Sequence, residues 1–205
     1  MKYMVDTFLA KIKPLVIEDM KKTGILASLT AAQAYLESNK GNSGLTAKAN
    51  NLFGMKGRYK GECISMNTKE YAAGVGYYTI TAIFRKYPSW VESIADHSGL
   101  FNRLDRYKNL RGEKDYKKAC KYVQADGYAT SPTYADSLIK IIETYHLYEW
   151  DMCGNISVSN PVLGTVVDDV IAGKFGNGKQ RKAALEALGY DYKEVQKEVN
   201  KRLKG

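Results

Sequence analysis

The sequence contains few of the residues that build metal sites and disulfide frameworks. Its 205 residues include 3 cysteines, at positions 63, 120 and 153, and 2 histidines, at positions 97 and 146. The cysteines are widely spaced and form no CxxC pair, whereas a tetrahedral zinc site needs four well-placed ligands. We therefore expect no metal, no cofactor and no disulfide scaffold, and free thiols in a protein made in a reducing compartment.

Long apolar runs are also missing. No segment approaches the roughly 18 consecutive apolar residues that are needed to cross a bilayer. Asp6, Lys11 and Lys13 interrupt the apolar part of the N-terminal segment, which is therefore unlike a secretory signal. We expect synthesis in the cytoplasm without a signal peptide, and no membrane insertion.

Basic residues outnumber acidic ones, with 31 lysines and arginines against 22 aspartates and glutamates, for a formal net charge of +9. Such a protein is drawn to polyanions, which include nucleic acids, acidic membranes and anionic cell walls. Because no motif that reads a nucleic-acid groove is present, we expect no nucleic-acid partner. The apolar fraction of 44% is sufficient for one good core and a small second one.

Hydrophobic periodicity predicts mostly helices around one small β insertion. The predicted helices are 3–22, 25–38, 89–102, 114–124 and 133–148. Two short strands, 63–68 and 75–84, flank a turn at Ala73 and Gly74, and residues 40–58 are predicted to be a loop. The pattern indicates an α+β fold: a mostly helical, lysozyme-like domain in which a β-hairpin lobe forms one wall of a cleft.

The periodicity stops near residue 152 and resumes after Pro161. We therefore predict a large domain over 1–150, a linker over 151–161 and a small C-terminal domain over 162–205. Three further helical segments, 163–172, 179–188 and 192–203, predict a three-helix bundle for the small domain.

Glu37 is the first candidate for acid catalysis. It stands at the C-terminal end of an apolar helix, where the helix dipole disfavours the carboxylate form. Partial burial would act in the same direction, and both effects favour a proton donor. By position alone, a solvated glutamate at a helix end is the commoner situation. Glu62 and Glu70 of the β insertion are the candidates for the second carboxylate that most glycosidases need.

Five motifs in order carry a family resemblance. They are AQAYLES (32–38), NNLFGMKG (50–57), TKEY (68–71), FRKYPSW (84–90) and GYATSPTYA (127–135). The series, over roughly residues 5–150, resembles glycoside hydrolase family 73, the endo-β-N-acetylglucosaminidases of peptidoglycan. The resemblance implies that Glu37 is the catalytic acid, that Glu70 is the second carboxylate and that Tyr128 lines the cleft near the acid. The predicted substrate-binding residues are Asn51, Phe53, Gly54 and Tyr134. Ser131 stands where many relatives carry Asp.

Residues 167–200 resemble the small three-helix cell-wall-binding repeat of phage lysozymes. Phe175 stands where a tryptophan is common in that repeat, which keeps an aromatic face and loses an indole donor. By this resemblance the wall-binding residues are Phe175, Gly176, Asn177, Arg181, Tyr190 and Asp191.

Together the two resemblances imply a peptidoglycan hydrolase that acts at the bacterial cell wall. It would cleave the β-1,4 bond between N-acetylglucosamine and N-acetylmuramic acid and leave N-acetylglucosamine at the reducing end. Its architecture resembles that of a phage or prophage endolysin. An N-acetylmuramidase or lytic transglycosylase on a similar fold, and a non-catalytic wall-binding protein, remain open as alternatives.

Overall fold

A computed structural model describes the chain over residues 6–72, 74, 76–152, 161–187, 190 and 192–204. Residues 69–72, 77, 161–165, 187 and 204 are described by their backbone alone. The chain forms two compact units, Met1–Gly154 and Asn155–Gly205. Within the described residues, no helix has both the length and the apolar character needed to cross a membrane.

The first unit is mostly helical and contains one β-hairpin, which confirms the α+β class. Its elements are α1 (Thr7–Thr23), α2 (Ala27–Glu37), α3 (Gly44–Ala49), β1 (Cys63–Ala72), β2 (Gly76–Arg85), α4 (Trp90–Arg103), a 3₁₀ helix (Asp105–Leu110), α5 (Tyr116–Ala125), α6 (Tyr134–Thr144) and α7 (Tyr148–Met152).

Helix α2 lies in the core of this unit and packs against α1, α6 and α7. Every residue from Ala27 to Tyr35 is buried, because small side chains let the neighbouring helices approach closely. The residue before the helix, Leu26, has no side chain that can cap the first turn. Asp151 of α7 caps it instead, accepting hydrogen bonds from Ser28 N at 2.8 Å and from Ser28 Oγ at 2.6 Å. Helix α2 is thereby fixed at the end opposite Glu37.

Two helical predictions needed correction. The segment predicted as a loop over 40–58 contains the short helix α3, which Ser43 caps by accepting a hydrogen bond from Thr46 N at 3.1 Å. Six residues are too few to show helical periodicity in a sequence. The helix predicted over 133–148 is instead two helices, because His146 between them has a left-handed backbone with φ of 53°.

The β-hairpin has a defined register and a firm base. Strands β1 and β2 are antiparallel, with Ile64 opposite Phe84 and Ala72 opposite Gly76. Strand β1 extends four residues further towards the turn than predicted, whereas β2 is shifted by one residue. At the base, Asp96 of α4 accepts hydrogen bonds from the Arg85 guanidinium and from the Tyr87 hydroxyl. This ion pair ties the hairpin to the helical body.

The second unit has its own core. Its helices are α8 (Pro161–Ile171), α9 (Gly178–Ala187) and α10 (Tyr192–Lys204). The buried side chains are Val166, Val167, Val170, Leu185, Val195 and Val199. Both ends of the predicted linker range are helical, since Met152 ends α7 and Pro161 begins α8, while 153–160 lie outside the described residues.

Candidate active site

The end of helix α2 places Glu37 at the surface. The helix stops at Glu37, and the next residue, Ser38, closes it by donating from Oγ to the carbonyl of Ala34 at 2.5 Å. The chain then turns through Asn39 and Lys40, whose φ angles of 50° and 59° are left-handed. The turn cannot continue as a helix, so the carboxyl group projects from the helix terminus.

Glu37 lies in an open cleft of about 230 Å³. The other lining residues come from α3 and its flanks on one side and from the β-hairpin on the other: Ser43, Leu45, Asn51, Gly54, Met66, Asn67, Thr68 and Phe84. The cleft is therefore walled by the helical body and by the β lobe.

The carboxyl group of Glu37 is both reachable and shielded. The residue is exposed to solvent, but protein atoms of the cleft displace much of the water around its carboxyl group. Burial raises the pKa of Glu37 above its ordinary value, and a hydrogen bond from Tyr134 opposes part of that rise. A glutamic acid that keeps its proton towards neutral pH meets the first requirement for a general acid.

Tyr134 is the direct partner of this acid. Its hydroxyl donates to Glu37 Oε1 at 2.8 Å and accepts from Gln33 Nε2 at 3.2 Å. The Tyr134 ring is buried and stacks on the ring of Tyr128 at 5.8 Å between centroids. Burial raises the pKa of Tyr134 above its ordinary value, and the Glu37 carboxylate adds to that rise whenever it is ionised, so this hydroxyl stays protonated and remains a donor.

Tyr128 forms a hydrogen bond with His97, a residue that the sequence suggested only as a potential metal ligand. The Tyr128 hydroxyl and His97 Nε2 are 3.0 Å apart, and the imidazole stacks on Phe53 at 3.8 Å. His97 is 0% exposed, and burial lowers its pKa to about 3, so the ring is neutral. No local pattern in the sequence marks His97, since its position depends on packing between α4 and residues far along the chain.

The other predicted substrate residues take different places. Gly54 lines the cleft with a left-handed φ of 66°. Asn51 also borders the cleft, but its amide group makes structural hydrogen bonds. Its Nδ2 donates to the carbonyls of Met55 and Arg85 at 2.9 and 2.8 Å. Phe53 is buried against His97. Before the start of α6, Ser131 Oγ accepts from Thr133 N at 3.4 Å, a local turn contact, and α6 has no side-chain cap.

The two candidates for the second carboxylate lie in different places. The backbone of Glu70 is in β1 opposite Tyr78, while its side chain is outside the described part of the structure. Glu62 pairs with Tyr59 beside a separate groove of about 390 Å³, whose lining does not include Glu37. Among the described residues, no group of three His, Cys, Asp or Glu side chains could hold a metal ion.

The second unit brings three of its predicted binding residues together. Arg181 donates from Nε to the Gly176 carbonyl at 3.1 Å, from one terminal nitrogen to Asn177 Oδ1 at 2.9 Å and from the other to Gln196 Oε1 at 3.1 Å. Two of its five N–H donors thus hold the turn before α9 and a third joins α9 to α10, which leaves two without a partner among the described residues. Phe175 and Tyr190 pack against the small core, and Asp191 lies outside the described residues.

The comparisons with known proteins agree with this geometry. Residues 13–147 match the glucosaminidase family, described as mannosyl-glycoprotein endo-β-N-acetylglucosaminidase, and residues 164–203 match the CW_7 repeat. The chain belongs to the glucosaminidase family, which confirms the family 73 resemblance of the motif series. It is a glycoside hydrolase, and more specifically a peptidoglycan hydrolase with a glucosaminidase domain.

Among its relatives, the exo-glucosaminidase LytG of Bacillus subtilis (strain 168) is 40% identical over 90% of this chain and 68% of that protein. A probable N-acetylmuramidase of Lactococcus lactis is 33% identical over 76% of this chain, but this chain spans only 36% of its length. The catalytic domain of the autolysin Auto from Listeria monocytogenes has the same fold: its TM-score is 0.67 at 39% identity, over 71% of this chain and 86% of that one.

Proposed function

We propose that this chain cleaves the β-1,4 bond between N-acetylglucosamine and N-acetylmuramic acid in peptidoglycan glycan strands and leaves N-acetylglucosamine at the reducing end. Glu37 is the general acid in this proposal. The observation that carries it is the carboxyl group of Glu37 in an open cleft, with its pKa raised by burial and its Oε1 held by the Tyr134 hydroxyl.

The hydrogen bond from Tyr134 determines which oxygen of the acid carries the proton. Tyr134 donates to Oε1, so this oxygen acts as an acceptor and the carboxylic proton resides on Oε2. Oε2 then protonates the bridging oxygen of the scissile bond while positive charge develops at the anomeric carbon. Proton donation of this kind is worth roughly a hundred- to ten-thousand-fold in rate.

Glu70 is the proposed second carboxylate. Successive residues of a strand alternate between the two faces, so position 70 falls on the same face of β1 as Met66 and Thr68, which line the cleft. There Glu70 orients the attacking water or stabilises the charge at the anomeric carbon, and the acetamido group of the substrate is the alternative source of that assistance. Tyr128 supports the acid through its stack on Tyr134.

The test of the acid is Glu37→Gln, which keeps the shape of the side chain and removes the proton. We expect lysis of purified cell walls to fall at least about a hundredfold. Circular dichroism and wall sedimentation are expected to match the parent protein. Glu62→Gln in the separate groove is the matched control and is expected to retain full lysis. A Glu37→Gln protein that lyses walls at the parent rate would overturn the assignment.

The reaction products identify which glycosidic bond is cleaved. Mass spectrometry of released fragments is expected to show N-acetylglucosamine at the reducing end. A reducing-end muramic acid would indicate a muramidase, the activity printed in the name of the Lactococcus lactis relative, and an anhydro sugar would indicate a lytic transglycosylase. Binding of walls with no released sugar at all would indicate a non-catalytic wall-binding protein.

For the second unit we propose peptidoglycan binding, with residues 162–205 as the wall-binding module, 1–150 as the catalytic domain and 151–161 as the connection between them. Its proposed contact residues are Phe175, Gly176, Asn177, Arg181, Tyr190 and Asp191.

The pairing of a glucosaminidase unit with a repeat of this kind supports an endolysin, which accumulates in the host cytoplasm and reaches the wall once the membrane is permeabilised. Co-expression with a membrane-permeabilising protein is expected to be required for lysis from within, and lysis without it would contradict the endolysin role.

A further inference from the structure

Strand β2 carries three large apolar side chains that are exposed in the described structure, and two of them, Tyr78 and Ile80, lie on one face. Tyr78 is 41% exposed and Ile80 is 36% exposed. The register places Ile80 opposite Thr68 and Ala82 opposite Met66. Residues directly opposite each other in an antiparallel pair share one face. The cleft that contains Glu37 is lined by Met66, Thr68 and Phe84 from the face of Ile80 and by Asn67 from the other, so three of the four hairpin residues in the lining share the face of Ile80. Ile80, and Tyr78 two residues further along, therefore lie on the cleft side of the hairpin.

Burial along this face decreases steadily away from the helical body. Phe84 at the base is 7% exposed, Ala82 is half-buried, and Ile80 and Tyr78 are exposed. The opposite face of the same strand presents Thr79, Thr81 and Ile83 to solvent and is the more polar of the two. The apolar face thus continues beyond the part that packs against the protein.

We propose that Tyr78 and Ile80 form a sugar-stacking platform that continues the Glu37 cleft and binds the glycan strand of the substrate. The proposal rests on the proposed function, because the strand that Glu37 cleaves is the occupant. A pyranose ring presents C–H groups on its face, and these pack against an aromatic ring, while the phenol hydroxyl stays in water. Ile80 extends the apolar surface towards Thr68 in the cleft wall.

Continuity and size both favour a glycan over a protein partner. The platform shares its face with cleft-lining residues, and one step of two residues along a strand advances only about 7 Å. Two side chains offer far less surface than the roughly 1,000 Å² that a specific protein interface buries. A single extended polysaccharide chain requires no more than such a strip.

The test measures glycan affinity in the Glu37→Gln background, where the substrate is not consumed. The probe is a peptide-free glycan hexasaccharide of alternating N-acetylglucosamine and N-acetylmuramic acid, titrated by calorimetry into the full chain. Adding Tyr78→Ala is expected to weaken binding about tenfold, which corresponds to about 1.4 kcal/mol. Adding Tyr78→Phe is expected to change affinity less than twofold, because the stacking face remains.

Ile83→Ala is the matched control, since Ile83 is 45% exposed on the opposite face of the same strand. It is expected to bind like the background protein. Equal affinity for the Tyr78→Ala and Ile83→Ala proteins would overturn the platform while leaving the proposed function intact. Absence of any hexasaccharide binding in the Glu37→Gln protein itself, with cell-wall lysis by the parent also absent, would instead count against the proposed function.

Discussion

Tyr134→Phe isolates the hydrogen bond that positions the acid. The change removes one oxygen from a buried ring and leaves the stack on Tyr128 in place. It deletes the 2.8 Å donation to Glu37 Oε1 and the acceptor of Gln33 Nε2. Gln33 is fully buried, and its Oε1 already has no hydrogen-bond partner within the described structure. The substitution therefore affects the acid and the core amide together.

Two magnitudes follow from this geometry. A buried donor left unsatisfied costs about 1–3 kcal/mol, so we expect the free energy of unfolding to fall by that amount. Loss of the contact that holds Oε1 lets the carboxyl group rotate away from the bridging oxygen. A misplacement of about 1 Å in a catalytic group can reduce the rate about a hundredfold, so we expect kcat to fall roughly 10- to 100-fold.

The pH profile of kcat is expected to shift in Tyr134→Phe, whereas a purely structural role of Tyr134 would leave the position of its alkaline limb unchanged. A general acid works while protonated, so activity is lost as the pH rises through the pKa of Glu37 in the folded enzyme. The Tyr134 hydrogen bond lowers that pKa, and its removal therefore raises the pKa of Glu37 further. We expect the alkaline limb of the kcat profile to move to higher pH while the plateau falls.

The assay is cleavage of soluble glycan strands across the pH range, with urea unfolding in parallel. Tyr116→Phe is the matched control, because it removes a tyrosine–glutamate hydrogen bond of 3.1 Å to Glu143, outside the cleft. Its rate and pH profile are expected to match those of the parent. An unchanged plateau and limb in Tyr134→Phe would refute the idea that this hydroxyl positions and tunes Glu37.

Two further predictions concern stability and the second unit. Burial raises the pKa of Asp151 to about 6, above its ordinary value near 4. The folded state therefore binds this proton more tightly than the unfolded state, and the free energy of unfolding decreases as the pH rises from about 4 to 6. Urea unfolding of Asp151→Asn is expected to lack this loss, which is at most about 3 kcal/mol. Equal slopes in both proteins would contradict it. Leu185→Ala removes a fully buried side chain from a small core and is expected to cost about 2–5 kcal/mol. Wall sedimentation is then expected to fall while cleavage of soluble glycan persists, and unchanged sedimentation would count against the wall-binding role.

The sequence by itself determined the elements with strong local signals. Apolar spacing predicted the main helices, alternation around Gly74 predicted the hairpin, and the ordered motifs identified the family. Glu37 at a helix end was visible for the same reason, because its helix is apolar and is followed by a run of turn-forming residues. Periodicity records which face of one element is buried. It does not record which element covers that face.

The tertiary structure alone decided the surroundings of the acid. Glu37 meets Tyr134 across 97 residues, and the cap that Asp151 provides to α2 spans 123 residues. His97 is one of two histidines in the chain, and only packing against Phe53 and Tyr128 makes it a buried, neutral support of the site. These contacts depend on how helices pack in space: Tyr128 and Tyr134 stand in the GYATSPTYA motif, but the motif does not say that Tyr134 donates to Glu37 or that His97 contacts Tyr128. The sequence thus predicts Glu37 as the acid, and only the structure shows the burial and the Tyr134 hydrogen bond that act on its carboxyl group.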